Sequence, residues 1–324
     1  MSKESRLNGL VAAMMLGDCL GTPCVFMKSE QILHNAAQAS WNLGTPGMCS
    51  SILMTAIAAI KRYGCDMHHL AAQYQKWARQ TTNELDLITC RCFAQKKKQS
   101  LDTLYAKSET SDHGALCSGL LLVRQIPIVL AHTLAAPQTL FQAVKMESRL
   151  THVDPISIEC AQIYALCLQG ILNGKSRTQI WDSLFQAIQS HEVYRIVMNS
   201  YYRKPVCDNR EYSQACTALG IALYHYWHDT PFVSAVRSAV LAGGATDVNA
   251  TVTAALSGTS QGYKAIPTTW LETLIHPDPS KTIPQLTVML KLAADIAIHS
   301  GYLPIKYKLR TRALKSSPSN LLAA

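Results

Sequence analysis

Three short segments combine residue types that could do chemistry with spacings that generic helix packing does not require. Gly17-Asp18-Cys19-Leu20-Gly21 sets an acid between glycines. Leu150-Thr151-His152-Val153-Asp154-Pro155 places a histidine ahead of a helix, with Asp154 in reach of its ring. Gly243-Gly244-Ala245-Thr246-Asp247-Val248-Asn249-Ala250 ends one helix and starts another. Paired glycines permit a tight backbone there, and Thr246 or Asp247 is expected to cap the following helix with its side-chain oxygen. Helix N-termini made this way are natural anion sites.

Acids are scarce around these segments. The 324 residues are 48% hydrophobic and 16% charged, which excludes wholesale disorder. Thirty Lys and Arg oppose 21 Asp and Glu, a formal charge of +9. A mechanism that needs several clustered carboxylates therefore has few candidates. Part of the positive charge sits in Lys96-Lys97-Lys98 and in a tail run with Lys306, Lys308, Arg310, Arg312 and Lys315. Neither run is interleaved with aromatics in the manner of single-strand binders, so nucleic acid is not an expected partner. Eleven cysteines form no ligand or disulfide pattern and no secretory signal precedes them, which points to a cytoplasmic-type reducing compartment. Such a reading leaves export by a specialised secretion system open. No segment reaches 18 uninterrupted apolar residues, and integral membrane association is not expected.

The elements that must position these residues read as helices. Arg6–Leu16 carries helically spaced apolar residues and stops at Gly17. Ser51–Lys61 and Asp66–Arg79 follow. Further helices are predicted at Ala115–Val123, Pro137–Val144, Pro155–Ile171, Thr178–Gln189, Glu211–Trp227, Pro231–Leu241, Val248–Leu256 and Ile283–Ile298. Pro137, Pro155 and Pro231 each fit a first helical turn. The fold class is all-α. Without a long Pro/Ser/Gly connector, residues 1–315 read as one helical domain and 316–324 as a frayed tail.

These segments carry a resemblance. Gly-Asp-x-Leu-Gly, Thr-His-x-Asp-Pro, Gly-Gly-x-Thr-Asp-x-Asn-Ala and a later Ala-Ile-Pro-x-x-Trp, in that order from Gly17 to Trp270, resemble the ADP-ribosylglycohydrolase family. These are the all-α hydrolases that include dinitrogenase-reductase-activating glycohydrolase. The resemblance implies a compact orthogonal helical bundle with an ADP-ribose cleft and two magnesium ions held by Asp and Thr side chains.

Carried over residue by residue, the family's metal ligands are mostly absent. Its Thr-Asp-Asp-Thr signature falls on Thr45, Pro46 and Gly47 in one register, or on Cys49, Ser50 and Ser51 in another, and neither supplies a carboxylate. In Gly-Gly-Asp-Thr-Asp-Thr the first Asp is Ala245, the second survives as Asp247, and the last Thr is Val248. The glutamate after the first motif lies at Val25. Magnesium demands octahedral oxygen ligands and usually one or two carboxylates. No metal centre or other cofactor is therefore expected, residual magnesium at Asp247 included.

The resemblance implies an atypical ADP-ribosyl hydrolase, arginine-linked in substrate and without the usual two-magnesium centre. Its partner would be ADP-ribosylated protein or an ADP-ribose-like ligand. Cleaving an N-glycosidic bond needs an anion or oriented dipoles near the anomeric carbon and a positioned water. The catalytic candidates are Asp18, Asp247 and Asp112, the last in the Ser111–Gly114 loop. Ligand-binding candidates are Gly17, Gly21, Ser50, Ser51, Gly114, Arg124, His152, Gly243, Gly244, Thr246 and Asn249. Each has a structural alternative: Asp18 as a loop brace, Asp247 as a helix cap, Arg124 as a paired interior arginine, His152 as a packing residue. The other functional reading is an inactive relative that binds ADP-ribose, a nucleotide or a protein partner.

Overall fold

A computed structural model describes residues 1–38, 45–81, 87–110, 118–203, 214–275 and 286–304. Among them the regular structure is entirely helical. The helices are α1 (Lys3–Gly21), α2 (Ser29–Gln38), α3 (Met48–Tyr63), α4 (Met67–Gln80), α5 (Leu87–Phe93), α6 (Leu101–Thr110), α7 (Leu120–Ala131) and α8 (Pro137–Ser148). They continue as α9 (Pro155–Leu172), α10 (Arg177–Ala187), α11 (His191–Tyr202), α12 (Gln214–Trp227), α13 (Phe232–Leu241), α14 (Thr246–Gln261), α15 (Thr268–Ile275) and α16 (Leu286–His299).

The centre of the bundle is the pair α1 and α14. A helix that is apolar or small on every face belongs in the interior, and α1 is buried from Gly9 through Gly21, as is α14 from Thr246 through Thr259. Gly9, Ala13, Gly17 and Gly21 recur at intervals of four and so share one face of α1. A Cβ on Gly9 would stand 2.2 Å from the Gly258 carbonyl oxygen, one on Gly17 2.5 Å from that of Ala250, and one on Gly21 2.4 Å from Asp247 Cα. From the other side, a Cβ on Gly258 would lie 2.3 Å from Ala13 Cβ. Residue numbers rise on one helix as they fall on the other, so the two run antiparallel with their backbones in contact.

This geometry corrects the expectation that α1 stops at Gly17. The helix continues through Asp18 to Gly21 because its glycines are points of backbone approach, not terminators. Another correction concerns α7, expected at Ala115–Val123 and observed at Leu120–Ala131 with Pro127 inside it. Every residue from Leu120 to Leu130 is buried, so that run carries no apolar stripe from which its ends could be read. Pro137 and Pro155 open α8 and α9 as expected, whereas Pro231 is the N-cap of α13. Helices α2, α5, α6, α11 and α15 fall outside the expected ranges. The 316–324 tail lies outside the described residues.

Helix α9 is long and apolar enough by length and composition to cross a membrane, but 83% of it is buried inside the protein, as a core helix is. Around the central pair, α7, α9 and α12 supply a large share of the remaining apolar core, including Leu121, Val129, Tyr164, Leu168 and Leu219, and α3, α4 and α16 add to it.

Backbone contact leaves no room for a methyl group. Gly17→Ala is expected to lower stability by about 1–3 kcal/mol, the usual range for overpacking. Gly170→Ala, whose added methyl meets only the Ile180 and Lys175 side chains, should cost less. Thermal unfolding of the two variants decides it; equal losses would mean that the α1–α14 approach is not limiting.

Candidate active site

The α1–α14 contact brings the first and third sequence motifs together. Gly21 abuts Thr246 and Asp247, and the Thr246 hydroxyl donates to the Gly21 carbonyl at 2.7 Å. One turn earlier on α1, Asp18 is fully buried. Its Oδ2 accepts the backbone N–H groups of Gly47 at 2.6 Å and Ser50 at 2.8 Å, and its Oδ1 faces the Thr22 hydroxyl at 3.2 Å. Asp18 thus braces the N-terminus of α3, which has no side-chain cap of its own. Gly47 has to be small here: a Cβ would fall 2.5 Å from Thr22 Oγ1. Burial raises the Asp18 pKa above the usual carboxylate value, and the hydrogen bonds from Ser50, Gly47 and Thr22 pull part of that back.

Bracing α3 fixes its first turn against α14. The fully buried Cys49 Sγ lies 3.8 Å from Asp247 Oδ2. Burial pushes this thiol well up, and the Asp247 and Asp18 carboxylates push it further. Ligand atoms of Asp18, Cys49 and Asp247 all lie within 4.8 Å of one another. That spacing overturns the expectation of no cofactor, with residual binding at Asp247 excluded, because one cation could be held by three such atoms. The register question is answered as well: Cys49 and Ser50 occupy the cluster, Thr45 is exposed, and Ser51 turns away to accept the Trp77 indole N–H at 2.7 Å. Cys49 escaped sequence reasoning, which sought oxygen ligands and read buried cysteines as small hydrophobes; the second register was the signal for it.

The residues present do not fit the magnesium pair of the resembling family. Two carboxylates and a thiol cannot balance two doubly charged hard ions, and Val25 and Ala245 stand where further carboxylates would be.

The paired glycines form the turn that leads into α14 beside the cluster. Gly243 and Gly244 both have positive φ, 81° and 69°, a conformation that glycine adopts without Cβ strain. Asn249 Nδ2 donates to the Gly243 carbonyl at 3.2 Å and steadies the turn. Ala245, not Thr246 or Asp247, is the N-cap of α14 and makes no side-chain cap bond, which corrects the capping expectation. The loop after α1 is tied to the same turn, with Phe26 N–H donating to the Gly244 carbonyl at 2.8 Å. Phe26 itself is 75% exposed at a φ of 64°, an uncommon conformation for a bulky side chain.

Arg124 and His152 sit elsewhere. Arg124 is 1% exposed, with Nε donating to Glu147 at 2.8 Å and Nη2 to the Thr151 hydroxyl at 2.7 Å. The His152 Nε2 accepts the Ser118 N–H at 3.2 Å, so Nδ1 carries the proton and meets Thr151 Oγ1 at 2.7 Å. Asp154 caps α9 by accepting from Ser157 N–H. Arg124, Glu147, Thr151 and His152 join α7, α8 and the loop that leads to α9 in one buried polar network. Asp112 and Gly114 lie outside the described residues. A groove of about 620 Å³ between α3 and α4 is lined in part by Arg62, Lys76, Gln73 and Ser51, and also by Gly47, whose N–H is bound by Asp18.

With this geometry in view, comparison with known proteins is decisive at the level of the family. The ADP-ribosylglycohydrolase family profile matches residues 1–301. The chain belongs to the ADP-ribosylglycohydrolase family. A provisionally named ADP-ribosyl glycohydrolase of Acanthamoeba polyphaga mimivirus is 21% identical over 308 residues, covering 84% of this chain and 92% of that protein. The ADP-ribosylarginine hydrolase of Serratia proteamaculans (strain 568) is 22% identical over 286 residues, covering 84% of this chain and 75% of that one. Among solved structures, a chain of an ADP-ribosylglycohydrolase-related protein complex superposes with a TM-score of 0.72 at 20% identity, over 92% of this chain and 99% of that one. At that identity the likeness concerns the fold, an all-α bundle. Within the family this member is atypical, with Asp18, Cys49 and Asp247 as its partial ligand set.

The buried ion pair yields a direct expectation. Arg124→Met should lower the unfolding free energy by about 3–5 kcal/mol, because Glu147 is left buried without its partner. Replacing both, Arg124→Met with Glu147→Leu, should recover most of that. Urea unfolding measures it; a well-folded Arg124→Met protein that has lost ADP-ribose binding would instead return Arg124 to the ligand.

Proposed function

We propose that the protein hydrolyses the N-glycosidic bond of ADP-ribosylated protein, with arginine-linked ADP-ribose as its substrate. The observation that carries this reading is Asp247. In a chain of the ADP-ribosylglycohydrolase family, it is a carboxylate 6% exposed in the first turn of α14, beside the tight Gly243–Gly244 turn. The name of the Serratia relative supports the arginine linkage.

The chemistry follows from that placement. Cleavage passes through an oxocarbenium-like ribose, which a nearby carboxylate steadies. Asp247 orients a water toward the anomeric carbon and takes its proton as the new C–O bond forms. The electron pair of the breaking C–N bond goes to the guanidine nitrogen, and the proton that Asp247 took from the water is passed on to it, so that the carboxylate is restored. Asp18 is a positioning residue in this scheme, since its Oδ2 already holds Gly47 and Ser50.

Release of labelled ADP-ribose from an arginine-modified protein, with divalent cations supplied, tests the reading. Asp247→Asn should cut turnover by about 10²–10⁴-fold, the range for a positioned acid–base group, with no fall in melting temperature. Asp18→Ala should lose activity and stability together. Unchanged turnover in Asp247→Asn would sink the assignment. No release from any linkage, alongside tight calorimetric binding of ADP-ribose, would favour a binding protein, the outcome that the replaced acids at Val25 and Ala245 would explain.

A further inference from the structure

We infer that the Asp18–Cys49–Asp247 cluster is a site for one thiophilic divalent cation of the zinc class, with Cys49 as a thiolate ligand, in place of a magnesium pair. Three features of the cluster converge on this. Its ligand atoms share a space no wider than 4.8 Å, which accommodates one ion. The donor set is mixed, two carboxylates and a sulfur. Magnesium takes hard oxygens in an octahedron, whereas zinc is borderline-soft and is bound by sulfur, nitrogen and carboxylate oxygen alike. Three protein ligands also leave a fourth tetrahedral position open, the pattern of zinc sites that do chemistry.

Two fully buried hydroxyls flank the trio, Thr251 as a hydrogen-bonding partner of Cys49 and Ser50 as one of Asp18. Partners of this kind orient metal ligands from behind. Asp18 Oδ1 accepts the Thr22 hydroxyl at 3.2 Å, whereas Oδ2 takes both backbone N–H groups. Cys49 is held in place by the first turn of α3, and that turn by Asp18, so the sulfur is fixed before any ion arrives.

The inference stands apart from the hydrolase reading, because binding is read without turnover. Chelator-stripped full-length protein is titrated with Zn²⁺, Co²⁺ and Mg²⁺, following stoichiometry by calorimetry and, for cobalt, the thiolate-to-metal charge-transfer absorption in the near ultraviolet. One equivalent of zinc is expected, at least about a hundredfold tighter than magnesium as a thiolate site prefers, with the cobalt band present. Cys49→Ser should abolish the band and weaken zinc at least about tenfold, no less than loss of an outer-shell partner does. Cys49→Asp should move the preference toward magnesium, while Cys24→Ser and Cys65→Ser keep the band. Thr251→Val should weaken zinc with the band retained, a readout available even where the Cys49 variants fold poorly. Two equivalents of magnesium, a cobalt band that survives in Cys49→Ser, or no band in the unaltered protein would each overturn the inference. A protein that binds zinc this way and hydrolyses nothing would keep the inference and drop the hydrolase reading.

Discussion

Everything in this structure depends on two helix backbones touching. Glycine at positions 9, 17, 21 and 258 lets α1 and α14 approach until carbonyl oxygens occupy the space where methyl groups would be. Two side chains far apart in sequence, Asp18 and Asp247, become neighbours because nothing intervenes between their helices. A pair of ordinary leucine-lined helices would sit 8–10 Å apart between axes, with side chains filling the interval that the cluster here occupies.

From that contact the site is assembled in steps. Asp18 reaches across to two N–H groups of the α3 N-terminus, and the turn so fixed delivers Cys49 and Ser50 to the face of Asp247. The same carboxylate is therefore a structural brace and a member of the cluster, and these roles cannot be separated by removing it. A second polar network, Arg124 with Glu147, Thr151 and His152, lies in the interior and ties α7 and α8 to the loop before α9. It is the kind of buried pair whose geometry has to be good, since breaking it leaves a charge in a low-dielectric interior.

Departure from the family at its metal ligands looks different once Cys49 is placed. Counting carboxylates along the chain suggested a site that had lost its capacity for cations. In space the count changes, because Asp18 joins Asp247 from another helix and a sulfur completes the trio. Scarcity of acids remains real: the formal charge of +9 partly reflects Val25, Ala245 and the carboxylate-free stretch at 45–51. Replacement of hard ligands by a soft one is a change in which ion can be held.

By itself the sequence determined the helical class, the family and the motif order, because glycine, proline and apolar spacing act locally. Proline at the start of α8 and α9 was legible for the same reason, its fixed φ suiting a first turn. Gly17 was not: a glycine after an apolar helix reads as a stop, and only the presence of α14 against it shows that it is a contact. The ends of α7 were hidden because a helix buried on all sides has no stripe. The choice between Thr45 and Cys49, and the pairing of Arg124 with Glu147 across 23 residues of sequence, could be made only by tertiary structure. Those are decisions about which distant groups share one desolvated space, and no local propensity encodes that.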